Sequence, residues 1–592
     1  MLLEAIHHQP KSQYAYAYDE ETLHIRVRTK RNDMDQVSVV WGDKYDFVPE
    51  KITTTKMEVF AKDTLYDYYH VAVKPPFKRF AYAFKFEKGK KTVFLNEVGF
   101  KDDEMHSSGV GMLWSPSGMF EFPFLNPIDV HTPPDWVKDA VFYQIFPERF
   151  ANGDPTLNPP GTEAWTPDAV PTRENFFGGD LQGVIDNLDY LEELGINCIY
   201  FTPFFEAYSN HKYDTIDYLK VDPQFGDEKK AKELVEKAHE RGIRIMLDAV
   251  FNHSGYYFPP FQDVLKRGEK SRFADWFHVK EFPLQTDPLT YDTFGFVPAM
   301  PKLNTENPEV KAYLLEVARY WVEDIGVDGW RLDVANEVDH RFWREFRDTV
   351  KKANPEAYIL GEIWHNSLAW LQGDQFDAVM NYPVTNSILD FFVKDEIDAE
   401  NFMGRLDQMM IAYPQQANEV AFNLLDSHDT PRLLHIAEGN KDRMKLAAMF
   451  QLLYLGAPCI YYGDEIGMDG GGDPGCRKPM IWEKDHQDHE LFDFYKKLIQ
   501  LRKDHRALRD GSFRFLSASK GAKYISFERT HGKERFIVAM NTDKKQHDVN
   551  VEDVAKGKFR NIDTGDTHTV KNGKFVVSVP ALGAVILKEQ SS

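Results

Sequence analysis

The chain has 592 residues, a formal net charge of −22, and 42% hydrophobic, 14% aromatic and 28% charged residues. At roughly 150 residues per domain this length suggests about four units, although α/β barrels run larger as one domain. The acidic balance excludes a nucleic-acid partner, whose phosphates need Lys and Arg, and no apolar run approaches the ~20 residues that span a bilayer.

The N-terminus, MLLEAIHHQPKSQY, has an acidic Glu4 and no apolar stretch of signal-peptide length. Residues 1–122 alternate apolar and polar positions in short runs such as TLHIRVRTK, QVSVVWG and FAYAFKFEKG. That period predicts an antiparallel β-sandwich. A Pro-rich linker, 123–134, follows.

From Asp135 to 503 the pattern changes to strand and helix in alternation. Strands are expected near Ala140, Cys198, Arg244, Gly329, Tyr358, Asp377, Val420 and Cys459, with helices such as GVIDNLDYLEELG and EKKAKELVEKAHERG between them. Eight such units predict an α/β fold, a (β/α)8 TIM barrel; a doubly wound sheet is the alternative. The third unit is oversized, which places a small subdomain at about 254–306, before a helix opened by Asn307-Pro308-Glu309. Short alternating strands return over 504–592 as a second β-sandwich. Cys198, Cys459 and Cys476 include no pair with metal-ligand spacing and are read as reduced structural residues. A cytoplasmic protein is expected.

Four stretches, LDAVFNH, GWRLDVANE, LGEIW and LLDSHD, begin as apolar strands and finish on polar residues. In a barrel their ends share one mouth, bringing Asp333, Glu362 and Asp429 together. Alternation along a strand puts Arg331 beside Asp333, and a guanidinium favours the ionised carboxylate that a nucleophile needs; such pairs also simply hold barrels together. Glu362 has Trp364 two residues on, and an apolar ring beside a carboxyl suits a proton donor. One acid and one nucleophile are the requirements of glycoside cleavage. Asp429, next to His428, can accept hydrogen bonds from sugar hydroxyls, or cap a helix before Pro431. His253 reads as a hydroxyl ligand and Asp248 as a buried anchor.

DAVFNH, GWRLDVANE, GEIW and SHD resemble, in order and spacing, the four signature regions of the α-amylase superfamily of glycoside hydrolases. MPKLN (Met300 to Asn304) resembles the marker of its neopullulanase, cyclomaltodextrinase and maltogenic amylase group, which also carries flanking β-domains. The resemblance implies Asp333 as nucleophile, Glu362 as general acid/base and Asp429 as transition-state stabiliser, with Arg331, His253 and His428 on the glucose being cleaved. By the same resemblance His211 and Tyr213 line that sugar, and Asp473 and Arg477 bound the cleft on its non-reducing side. Phe294, Trp364 and Tyr382 are candidate stacking faces. FANGDPTLN with GGD resembles a calcium site, implying Asn152, Asp154, Asn158, the Gly178 carbonyl and Asp180 as ligands for a structural Ca2+, an ion that prefers oxygen. Leu157 departs from the polar ligand of some relatives.

The activity so implied is retaining hydrolysis of α-1,4 bonds in cyclomaltodextrins, pullulan and maltooligosaccharides, with transglycosylation, by a homodimer. The rivals are an exo-acting α-glucosidase of the same superfamily and a noncatalytic carbohydrate-binding homologue.

Overall fold

The period-two pattern at the start of the chain forms two antiparallel sheets in the computed structural model, which describes residues 1–47, 49–102 and 118–590. A four-stranded sheet orders Ala15–Ala17, Leu23–Lys30, Tyr66–Val73 and Glu58–Lys62. A six-stranded one is built on Gln36–Asp43 and Phe80–Lys88, with Phe120–Phe122 added at its side. Ile25 and Val27 meet Val37, Val39, Phe84 and Phe86 in one core, since every second side chain faces inward. The part of the expected N-terminal domain at 103–117 lies outside the described residues.

Eight parallel strands follow: β1 (Phe142–Ile145), β2 (Cys198–Phe201), β3 (Arg244–Ala249), β4 (Gly329–Leu332), β5 (Tyr358–Gly361), β6 (Ala378–Val379), β7 (Phe422–Asn423) and β8 (Ala457–Tyr461). Each pairs with its neighbour in sequence, β8 returns to β1, and a parallel bridge from Met380 to Phe422 joins β6 to β7. The ring is therefore closed, which sets aside the doubly wound alternative. Both faces of the strands are buried, so they read as apolar runs. In the register of β3 and β4, Asp248 lies opposite Arg331.

The connecting helices start where their caps place them. Asp227 accepts from Lys230 N at the head of Glu228–Glu240. Asn307 accepts from Glu309 and Val310 N at the head of Pro308–Tyr320, where Pro308 takes the first helical position. Between β3 and that second helix lie the helix Pro259–Arg267 and bridges pairing His253 with Lys302 and Phe277 with Leu303. The MPKLN stretch is thus pinned across the end of β3.

The C-terminal strands form a six-stranded sheet, including Tyr524–His531, Glu534–Asn541 and Gly583–Glu589, and a two-stranded one of His547–Val551 with Phe575–Val579. Ile537, Val549, Val577 and Leu587 fill the space between them. The N-terminal domain is tied to the barrel by Arg26, whose guanidinium donates to the carbonyls of Ile411 (3.3 Å) and Tyr413 (2.9 Å). Lys62 N donates to Asp407 Oδ2 at 2.7 Å nearby. No helix among the described residues is long and apolar enough to cross a membrane.

Candidate active site

The carboxyl ends of the strands open into a cleft of about 640 Å3 lined by His211, Tyr213, His253, Phe294, Asp333, Glu362, Trp364, Asp429, Asp473 and Arg477. The three expected carboxylates therefore do share one space. Active sites of this fold collect at that face because eight strand-to-helix loops converge there.

Beneath the cleft sits one guanidinium. Arg331, 0% exposed, reaches Asp248 and Asp333 from Nη1 at 2.9 and 2.7 Å, and Glu362 Oε1 from Nη2 at 2.8 Å. Asp248 also accepts from Tyr200 Oη (2.8 Å) and Tyr213 Oη (2.9 Å), which makes it the expected buried anchor. The expectation that Arg331 holds Asp333 low is corrected here. Burial, the largest cause, pushes the Asp333 carboxyl up; Arg331 pulls it down, but Glu362 and Asp248 push it up again, and it ends well above the usual range. The physical reasons are burial first and then the count, one cation serving three carboxylates. Asp248 is raised to about 6, first by burial, against the pull of Arg331.

Glu362 is held on both oxygens. Trp364 Nε1 donates to Oε1 at 3.2 Å and Val334 N to Oε2 at 3.0 Å. The tryptophan thus presents its polar edge to the carboxylate, where the sequence suggested an apolar wall. Val334 follows Asp333 with φ at 45°, a left-handed conformation that is costly for a β-branched residue. That strained turn is what aims its N–H at Glu362.

Asp429 lies across the cleft, in the turn after Ser427 and not at a helix cap. Arg477 Nη2 reaches its Oδ1 at 3.2 Å, and Arg477 Nη1 reaches Asp473 at 3.0 Å. Arg173 extends this chain of charges, meeting Asp473 at 3.5 Å. Behind Asp429, Gln144 Nε2 donates to His428 Nδ1 at 2.7 Å, which leaves the neutral ring its proton on Nε2, facing Tyr213 Oη at 2.7 Å. The two rings stack at 5.5 Å and 5°. Burial, and then Arg477 and Arg331, keep His428 well below the ordinary histidine range. Burial likewise takes His211 and His253 to about 3. All three are neutral at ordinary pH.

Three of the residues expected on the sugar are recessed in the structure. Arg331 is sealed beneath its carboxylates, His428 is 1% exposed behind Tyr213, and Tyr382 is 3% exposed under Trp364. The Trp364 and Tyr382 rings stack at 3.6 Å and 9°, so the face Tyr382 was expected to offer is already covered. Trp364, 51% exposed, keeps its outer face free, and Phe294 stacks against His253 at 5.2 Å. Arg173, Val297, Met300, Val334 and Asn336 also line the cleft and were not anticipated. Val334 and Asn336 lie inside GWRLDVANE and Met300 opens MPKLN, so these three could have been; Arg173 and Val297 carry no local signal.

The candidate calcium residues cluster near Gly178, whose φ of 82° and packing against Asn152 and Asn158 leave no room for a side chain. Asn152 Oδ1 is buried without a hydrogen-bond partner, an unmet acceptor that fits an oxygen-seeking cation. Asn152 Nδ2 donates to Asn158 Oδ1 at 3.0 Å. The two acidic members are partly engaged: Asp180 accepts the N–H groups of Gly153, Asp154 and Gly183, and Asp154 accepts from Thr156.

Comparison with known proteins agrees with this geometry. The family described as "Alpha amylase, catalytic domain" matches residues 144–511, and "Alpha amylase, N-terminal ig-like domain" matches residues 1–126. A cyclomaltodextrinase from Bacillus sp is 55% identical over 92% of this chain and 97% of its own length. Neopullulanase 2 from Thermoactinomyces vulgaris is 47% identical over 99% of each. A solved cyclomaltodextrinase structure superposes with a TM-score of 0.94 at 52% identity, over 100% of both chains.

Proposed function

The chain belongs to the α-amylase family of glycoside hydrolases, and from that premise we propose that it opens cyclomaltodextrins and cleaves α-1,4 bonds of pullulan and maltooligosaccharides with retention of configuration. The observation that carries the reading is the pair Asp333 and Glu362 bracketing adjacent nitrogens of Arg331. Carboxyls held on one guanidinium suit a retaining enzyme, in which the two stand roughly 5–5.5 Å apart, closer than in an inverting one.

In the first half-reaction the Glu362 carboxyl gives its proton to the glycosidic oxygen while Asp333 attacks the anomeric carbon. The C–O bond to the leaving sugar breaks, and a glycosyl ester forms on Asp333. In the second, Glu362 takes a proton from water as that water attacks the same carbon and frees Asp333. A sugar hydroxyl in place of water gives transglycosylation. The coupled carboxyls compete for one proton, and the productive form is the one in which Asp333 is ionised and Glu362 carries it. Asp429, steadied by Arg477, accepts hydroxyls of the distorted ring; His211, Tyr213 and His253 form its neutral walls.

We further propose a structural Ca2+ held by Asn152, Asn158, the Gly178 carbonyl, Asp154 and Asp180, a homodimer, and a cytoplasmic location, the last supported by three buried free cysteines. Product profiles on β-cyclodextrin, pullulan and soluble starch at equal enzyme concentration test the substrate class. Fast cyclodextrin opening with slow starch attack is expected. Starch degraded fastest would overturn the substrate assignment, and glucose as the sole product from all three would favour an exo-acting α-glucosidase.

A further inference from the structure

Between the two cleft-lining residues His211 and Tyr213 stands a lysine that points elsewhere. Lys212 is 1% exposed and its backbone is left-handed, φ 65°, a conformation that long side chains rarely adopt. The turn this makes brings Tyr213 N–H onto His211 Nδ1 at 3.1 Å and holds the two rings 5.9 Å apart. On its outer side the Lys212 ammonium runs between the rings of Phe176 and Phe225, 5.7 and 5.3 Å from their centroids, and ends on Asp222 at 2.8 Å. Asp222 is itself fixed, accepting Ala207 N at 3.0 Å and Gln224 N at 3.1 Å. Lys212 N in turn donates to Ser209 Oγ at 3.1 Å.

A buried ammonium is expensive unless paired, and a left-handed lysine adds backbone strain. Two unfavourable choices at one position, beside two cleft walls, need a common reason. We propose that Lys212 is a positioning residue of the hydrolytic reaction: its anchored ammonium holds the His211–Tyr213 turn in the shape that presents both rings to the sugar being cleaved. This rests on the hydrolase reading above. The chain of action is short, since Tyr213 Oη is also the group that joins Asp248 to His428. Lys212 touches no sugar itself. A misplacement of these rings by about 1 Å is expected to cost on the order of 10²-fold in kcat/KM.

The test compares three variants in the full chain. Lys212→Met removes the charge but strands the Asp222 carboxylate, so Lys212→Met/Asp222→Asn is made beside it, and Lys212→Gly keeps the turn while deleting the anchor. Each is assayed on β-cyclodextrin and, with Asp333→Asn added, titrated with maltotriose by calorimetry. The expected result is a double variant with near wild-type Tm that remains about 10²-fold low in kcat/KM, with weakened maltotriose affinity at a stoichiometry near one. Lys212→Gly should lose activity similarly. Full kcat/KM in the double or glycine variant would overturn the proposal. So would losses confined to binding stoichiometry with affinity unchanged, the signature of a merely structural residue. Failure of the hydrolase reading would show separately, as Asp333→Asn turning over at the wild-type rate.

Discussion

At the amino ends of the barrel strands, Asp328 and Asp377 each accept a backbone N–H from the neighbouring strand and each meet two basic side chains. At the carboxyl ends, one guanidinium serves three carboxylates. Asp377 is 0% exposed, accepts Ile359 N at 2.9 Å, and pairs with Arg347 and Lys351, both at 2.9 Å. Asp328 accepts Ile245 N at 2.8 Å and meets His239 at 2.7 Å and Arg244 at 3.1 Å. Burial pushes Asp377 up, but Arg347 and Lys351 more than offset it and leave the carboxyl low. Burial pushes Asp333 up, and there the single Arg331 cannot offset both burial and two more carboxylates. Identical chemistry in equally dry surroundings is stabilising at one end and strained at the other. Burial is common to both, so the balance of cations to carboxylates decides which.

The comparison can be broken at either end. Glu362→Gln should lower kcat on cyclodextrin by roughly 10² to 10⁴-fold, the usual worth of general acid help, and by far less on an aryl glycoside whose leaving group needs no proton. Equal loss on both substrates, measured by initial rates, would remove Glu362 from the acid role. Asp377→Asn should act oppositely, sparing kcat per folded molecule while costing about 3 kcal/mol of stability in urea titrations, because two partly buried cations lose their partner. Loss of activity without loss of stability there would erase the distinction.

The last effect concerns pH. His253, 1% exposed, is depressed to about 3, so its contribution to stability is complete above about 6.5 and is lost as pH falls towards 3. The slope is about 1.4 kcal/mol per pH unit in that window. His253→Asn should flatten the acid side of the urea stability profile by that amount. At the opposite end His239 is raised, first by its hydrogen bond to Asp328, so its stabilisation is present at acid pH and lost as pH rises through its folded value. His239→Asn should therefore leave the acid arm no shallower, and flattening by both variants alike would contradict the assigned signs.

Much of this was legible because barrel strands announce themselves. β3, β4 and β5 are apolar runs that end on Asp248, Asp333 and Glu362, and period alone places those groups at one mouth. Closure of the ring was less so, since β6 and β7 have two residues each and the joining bridge starts at Met380, just past the end of β6. What local spacing could not carry was sharing between strands. That Arg331 reaches Glu362 on β5's end as well as Asp333 depends on strand stagger, and that Tyr382 is capped by Trp364 depends on how two loops meet. The left-handed backbones of Lys212 and Val334 left no trace either, because neither residue type prefers that region.

The most direct test of the account is Asp333→Asn, followed by both kcat and thermal unfolding in one preparation. The account predicts turnover reduced by roughly 10⁴-fold or more, with a Tm at or above wild type, since a carboxylate is removed from an over-supplied cluster. Retained turnover would contradict its chemical role. A Tm lowered as far as that of Asp377→Asn would contradict the claim that the two ends of the barrel hold their carboxylates in opposite electrostatic states.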